Sequence, residues 1–265
     1  MFELDSYLYG LLVAMLLPLL TWIVSLIKED VSIVDSLWSL IFLGLCITYF
    51  LLNEIPTPRA TLVLVLVALW ALRLSAYITW RNWGEPEDAR YQAIRRRHSP
   101  GFALKSLGIV FLLQGALAWL ISLPLLAATA AGAPLNLLDA MALLLVLFGI
   151  LFESTADAQL AAFRAEPGNR GNVMDRGLWR YSRHPNYFGE CCVWWGFYLF
   201  ATAAGGWWSI PAPLLMTFLL LRVSGVALLE KDIAERRPGY RDYAERTNAF
   251  IPGLPGGADN GGTPS

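Results

Sequence analysis

Seven stretches of predominantly apolar residues constrain this chain more than any other feature. A helix of about 20 such residues spans the hydrocarbon core of a bilayer. The stretches lie at roughly 7–27, 33–52, 60–80, 105–129, 137–163, 187–204 and 210–230. In lipid every backbone polar group must be satisfied within its own segment, so the fold class expected is all-α, a polytopic membrane bundle of seven transmembrane helices. Composition agrees: 56% of residues are hydrophobic and 15% charged, against about 45–50% and 25% in soluble domains. Mean hydropathy is +0.50. Asp35 and Ser36 interrupt the second run, and the fifth turns polar at its end with Glu153, Asp157 and Arg164.

Charge between the runs sets orientation, because cytoplasmic connections carry excess Lys and Arg. The 81–105 connection holds Arg81, Arg90, Arg95, Arg96, Arg97 and Lys105; the 164–186 connection holds Arg164, Arg170, Arg176, Arg180 and Arg183. Lys231, Arg236, Arg237, Arg241 and Arg246 follow the last run, whereas 130–136 and 205–209 carry no charge. Seven spans put these basic segments on one face, with the N-terminus outside and the C-terminus cytoplasmic. The start, MFELDSYLYG, has neither a basic n-region nor a small-residue cleavage site, so the first run is expected to stay as a span. Residues 1–252 then form one membrane domain, and the Gly- and Pro-rich 253–265 a disordered tail.

Ionisable side chains within apolar runs are costly and mark function. Here they gather at the cytoplasmic ends: Asp35, Arg73 and Tyr77, then Glu153, Asp157 and Arg164, then Glu190, Arg222 and Glu230. Glu153, Asp157, Leu160 and Arg164 share one helix face. A polar cavity opening to the cytoplasm would account for them; the plainer alternative is a set of bracing ion pairs, such as Asp157 with Arg222. Arginine forks match phosphate oxygens and aromatic rings stack on purines, so a phosphorylated, adenine-bearing cofactor suits the mixture. There is no G-x-G-x-x-G or G-x-x-x-x-G-K-[ST] run, so neither a Rossmann domain nor a P-loop is expected. Cys46, Cys191 and Cys192 form no C-x-x-C pair, and neither disulfide nor metal is expected. Nucleic-acid binding does not fit so apolar a chain.

Arg180–Glu190, R-Y-S-R-H-P-N-Y-F-G-E, is the densest polar run, set before an apolar segment. Through S-R-H-P-N-Y-F-G-E it resembles the membrane steroid 5-alpha-reductase family and the DUF1295 proteins close to it. The resemblance extends to D-V-S-I-V-D-S-L-W (30–38), G-E-P-E-D-A-R-Y (84–91), the E-x-x-x-D helix face and Y-R-D-Y-A-E-R-T-N-A-F-I-P (240–252). It implies a seven-span enzyme that binds NADPH and reduces the C4–C5 double bond of a 3-oxo-Δ4 steroid or a similar apolar enone. Hydride would pass to the β-carbon, and a proton donor would stabilise the developing enolate. Carried over by position, Asp157, Leu160, Arg164, Asn186, Glu190 and Arg222 fall on cofactor positions. Arg183, His184, Tyr187, Tyr243 and Arg246 lie in motifs that face the cofactor. Asn82, Arg90 and Tyr91 are the choices for phosphate or ribose contacts. The expected setting is a bacterial inner membrane, with the cofactor site facing the cytoplasm and membrane lipid as surroundings.

The substrate side departs from that family. Its Gln-Glu pair on span two aligns here with Val34-Asp35, and its span-three Tyr falls near Trp70. Asp35 is therefore the expected proton donor, with Tyr77 as the remaining phenol on span three. A plainer role for Asp35, or for Ser32, is to cap the start of span two. His184 has a similar alternative as the residue that starts a helix before Pro185. Isoprenylcysteine and phospholipid methyltransferases share a looser R-H-P-x-Y-x-G, so the alternative activity is S-adenosylmethionine-dependent methyl transfer to a lipid or isoprenoid. A non-enzymatic lipid- or sterol-binding protein is the third reading.

Overall fold

A computed structural model describes residues 3–53, 55–130, 132, 134–223 and 237–256. These residues are helical with no strand among them. The helices are α1 (Leu4–Lys28), α2 (Ile33–Leu51), α3 (Pro58–Asn82), α4 (Ala89–Arg97), α5 (Phe102–Ser106), α6 (Leu113–Ile121), α7 (Leu123–Ala130), α8 (Leu137–Ala165), α9 (Pro185–Ala203), α10 (Pro211–Phe218) and α11 (Tyr240–Arg246). Two π-helical turns, Leu107–Leu112 and Leu219–Val223, join α5 to α6 and extend α10. Five stretches are long and apolar enough to cross a membrane: α1, α2, α3, Phe102–Ile121 and α8. The sixth expected run is the 19-residue α9, and the seventh begins in the shorter apolar helix Trp207–Val223. Residues 224–230 of that run, with Glu230, Lys231 and Arg236, lie outside the described residues.

The fourth expected run is divided. Its helix ends at Ile121 and a new one starts at Leu123, because Pro124 has no N–H to continue the ladder and its ring crowds the preceding turn. The Ser122 hydroxyl at the break donates to the Trp119 carbonyl and hydrogen-bonds the Tyr49 hydroxyl at 2.8 Å.

The chain divides into two compact units, 1–143 with 197–213, and 144–196 with 214–265. In the first, α2 packs between α1 and α3, and α1 also packs on α6. Apolar side chains gain nothing by leaving lipid, so close backbone approach and polar bonds must hold such helices together. A Cβ on Gly115 of α6 would lie 2.1 Å from the Ala14 carbonyl of α1, a contact only glycine permits. Arg59, fully buried at the start of α3, donates from Nε and Nη2 to both Asp139 carboxylate oxygens at 2.7 and 2.8 Å. Its Nη2 also reaches the Pro134 carbonyl at 3.0 Å.

In the second unit α8 and α9 cross just as tightly. A Cβ on Gly149 would meet the Gly189 carbonyl at 2.6 Å, and one on Gly189 would meet the Glu153 nitrogen at 2.7 Å. The stripe Gly149, Glu153, Asp157 of α8 therefore faces the stripe Asn186, Gly189, Val193 of α9. C-terminal to α11, the Gly253 and Gly256 amides donate to the Tyr181 and Arg246 carbonyls. Residues 257–265 of the expected tail lie outside the described residues.

Candidate functional site

The second unit assembles the larger group of expected residues. The glycine crossing draws the polar stripe of α8 inward, leaving Glu153 and Asp157 only 3% and 5% exposed. Asn186, in the first turn of α9, donates from Nδ2 to Asp157 Oδ1 at 3.3 Å. Buried His184 precedes Pro185; its carbonyl accepts the Phe188 N–H and so starts the helix. Its ring lies parallel to that of Tyr187, centroids 5.7 Å apart and planes 3° apart. His184 thus fills the helix-starting role and also presents a flat aromatic face. Glu190, one turn further, is 7% exposed. Leu160 packs with Ala156, Phe163, Met174 and Trp179. Arg164 emerges at the exposed end of α8, and Arg222 is exposed on the second π-helical turn.

Three other expected residues of this unit are committed to backbone and surface partners. Arg183 donates from Nη1 to the Ala244 and Thr247 carbonyls, each at 2.7 Å, closing the end of α11 as a cation should at a helix C-terminus. The Tyr243 hydroxyl donates to the Trp179 carbonyl. Arg246 pairs with Asp175 at 2.6 Å. The Ser182 hydroxyl and the Arg183 amide reach the Phe250 and Asn248 carbonyls, so residues 181–183 are stitched to 244–253. Arg176 and Arg180 remain exposed and make no ion pair among the described residues. Gln159, which the sequence did not single out, anchors this segment to α8. Its Oε1 accepts the Leu178 N–H at 2.9 Å, while Gly177, at φ 58°, leaves room for it.

In the first unit Asp35, Arg90 and Tyr91 come together. Arg90 Nη2 lies 2.7 Å from Asp35 Oδ2, and the Tyr91 hydroxyl donates to Asp35 Oδ1 at 2.6 Å. Asp35 thus spends both oxygens on side chains, not on the helix start. Asp88 caps α4 by accepting the Arg90 N–H, and it also holds Arg90 Nε at 2.9 Å. Gln114 of α6, also absent from the expected set, donates to the Tyr91 hydroxyl at 3.3 Å. Burial and then the Asp35 carboxylate push the Tyr91 hydroxyl well above its usual 10, so it stays protonated and donates. Burial opposes the Arg90 charge, but Asp35 and Asp88 outweigh it and raise that group.

A second clasp lies beside the first. Arg95 forks onto Glu87 at 2.7 and 2.9 Å, and Glu87 accepts the Val31 N–H at 3.0 Å. Burial alone would raise the Glu87 carboxyl; Arg95 and the Val31 amide hold it below 4.5. For Asp88, too, burial is outweighed, by Arg90, and the group is held below 3.8. Tyr77 is half-buried, with the Arg81 guanidinium 5.8 Å from its ring centre, and Asn82 accepts from Arg81 Nε at 3.1 Å. Trp70 is fully buried against Phe42. All three cysteines are free thiols. No group of three or more His, Cys, Asp or Glu among the described residues could hold a metal ion.

Long apolar helices with polar clusters at their ends define a polytopic helical membrane protein. Residues 21–247 match the family described as protein of unknown function DUF1295, and the chain belongs to that family. An uncharacterized protein of Schizosaccharomyces pombe is 29% identical over 283 residues, covering 95% of this chain and 81% of the relative. No solved structure matches.

Proposed function

We propose that the chain is a membrane reductase that uses NADPH to reduce the carbon–carbon double bond of an apolar enone, a 3-oxo-Δ4 steroid being the type of substrate. In this reading it is built on seven spans, with the N-terminus outside and the cofactor-binding end cytoplasmic. The observation that carries the reading is the α8–α9 crossing, which places the Asp157 carboxylate against the Asn186 amide beside the His184–Tyr187 stack.

Those groups suit a dinucleotide. A carboxylate and an amide side by side accept from and donate to ribose hydroxyls. Parallel His and Tyr rings offer a flat face to a heterocycle. Arg176 and Arg180, exposed and without ion pairs among the described residues, would take phosphate oxygens as charge-assisted forks. When bound, the dinucleotide supplies hydride; the protein's part is to hold it, orient it and exclude water. Asp157 and Asn186 would fix the ribose, and buried Glu190 would complete the polar wall.

The test is thermal unfolding of the full chain in detergent with NADPH, NADH or S-adenosylhomocysteine. A ligand at about 100 times its Kd stabilises the native state by about 2.7 kcal/mol. NADPH should raise the melting temperature, Asn186→Ala should abolish the rise, and an enone should drive NADPH oxidation. A folded sample indifferent to NADPH sinks the proposal. Stabilisation by S-adenosylhomocysteine instead would establish the methyltransferase.

A further inference from the structure

The six cations of the 81–105 connection look alike in sequence, but the structure sorts them. Arg90 and Arg95 turn inward and are neutralised by Asp35, Asp88 and Glu87. Arg81, Arg96, Arg97 and Lys105 are exposed. Arg96 and Arg97, in the last turn of α4, have no ion pair among the described residues. Of the three acidic residues between 84 and 98, Glu87 and Asp88 are occupied inside, which leaves Glu85 as the exposed carboxylate.

Large apolar side chains flank these cations. Trp80 and Trp83, at the end of α3, are 65% and 80% exposed, and Leu104 of α5 is 74% exposed. Both α3 and Phe102–Ile121 are long and apolar enough to cross a membrane, and α4 connects them. Exposed Trp beside cations at the ends of spans matches the headgroup layer, where the ring is half-wet and the cation meets phosphate. The segment is also held rigidly. Lys105 Nζ donates to the His98 and Pro100 carbonyls at 3.1 and 2.9 Å, and the Arg95 guanidinium sits 4.7 Å from the Phe102 ring centre.

We propose that the outward face of α4, with the ends of α3 and α5, is a docking surface for anionic phospholipid headgroups of the surrounding bilayer. The cations carry the preference for anionic lipid, and Trp80, Trp83 and Leu104 set the depth. The inward clasps keep Asp35, Asp88 and Glu87 from cancelling that charge. This surface does not depend on the reductase reading.

The full chain in neutral detergent tests it by thermal unfolding with added phosphatidylglycerol or phosphatidylcholine. Phosphatidylglycerol should raise the melting temperature by several degrees more than phosphatidylcholine, and raising the salt to about 1 M should remove the difference. Arg96→Gln with Arg97→Gln removes two cations without touching a bond among the described residues. Each basic residue near a charged surface is worth about fivefold in affinity, so the double variant should need at least tenfold more phosphatidylglycerol for the same shift. An equal response to the two lipids, or an unchanged response in the double variant, overturns the proposal. Arg241→Gln, in the second unit, is the matched control and should respond as the unmodified protein does.

Discussion

Residues 84–98 and 175–184 are both short, arginine-rich connections between long apolar helices, yet they spend their charge differently. In the first, Arg90 and Arg95 face carboxylates, with one further Arg95 bond to the Glu29 carbonyl. In the second, Arg183 faces two main-chain carbonyls and the Ser182 hydroxyl a third, beside the exposed Asp175–Arg246 pair. The first arrangement titrates and responds to salt. The Arg183 bonds add no titrating partner, because a carbonyl has no charge to lose. Arginine count alone therefore says little about what a basic loop does; the partner decides.

The comparison can be broken at its strongest point first. Gly189→Val drives a side chain into the Glu153 backbone, and we expect a loss above about 4 kcal/mol or no folded protein. Thermal stability by size-exclusion profile is the measurement; a well-folded variant would mean that the α8–α9 crossing is not what buries Glu153 and Asp157. Arg183→Ala removes two charge-assisted bonds to carbonyls and should cost about 2–3 kcal/mol. Thermal unfolding of the variant beside the unmodified protein measures it.

The clasp of 84–98 should fail in acid. Glu87 and Asp88 have carboxyls held below their ordinary values, so the stability they contribute is present above about pH 4.5 and lost as pH falls through the lowered values. Hydrogen exchange of the Val31 and Arg90 amides, which donate to these carboxylates, should quicken relative to the intrinsic rate below pH 4, while the Arg183 amide holds its protection. Equal loss at both places would erase the distinction. Tyr91→Phe removes the bond donated to Asp35 and the longer one accepted from Gln114, and should cost about 1.5–3 kcal/mol by thermal unfolding.

The long helices were legible because 20-residue apolar runs admit little else. Boundaries were less so: Pro124 divides one run, and the polar aromatic composition of 187–204 hides its length from a simple hydropathy count. The polar run at 182–190 was legible as a cluster, and Asn186 does meet Asp157. Arg90 and Tyr91 are read from the sequence as ligand contacts, and the structure joins both to Asp35, a pairing 55 and 56 residues apart that no local pattern encodes. Gly149 and Gly189 were missed because a glycine in an apolar run reads as filler until another backbone is found against it. Arg59 was missed as well, though a signal existed. It is a cation on the face that the charge bias marks as outside, and so it calls for a partner.

That partner has a consequence for how the protein is made. Arg59 is fully buried against Asp139, and the two are separated by 80 residues. At roughly 5–20 residues per second, about 4–16 s pass between the synthesis of one and the other. During that interval α3 carries this guanidinium without its Asp139 partner, a charge costly to bury in hydrocarbon. The Arg59–Asp139 pair can form only after the start of α8 has been made, so this contact of the first unit closes late in synthesis.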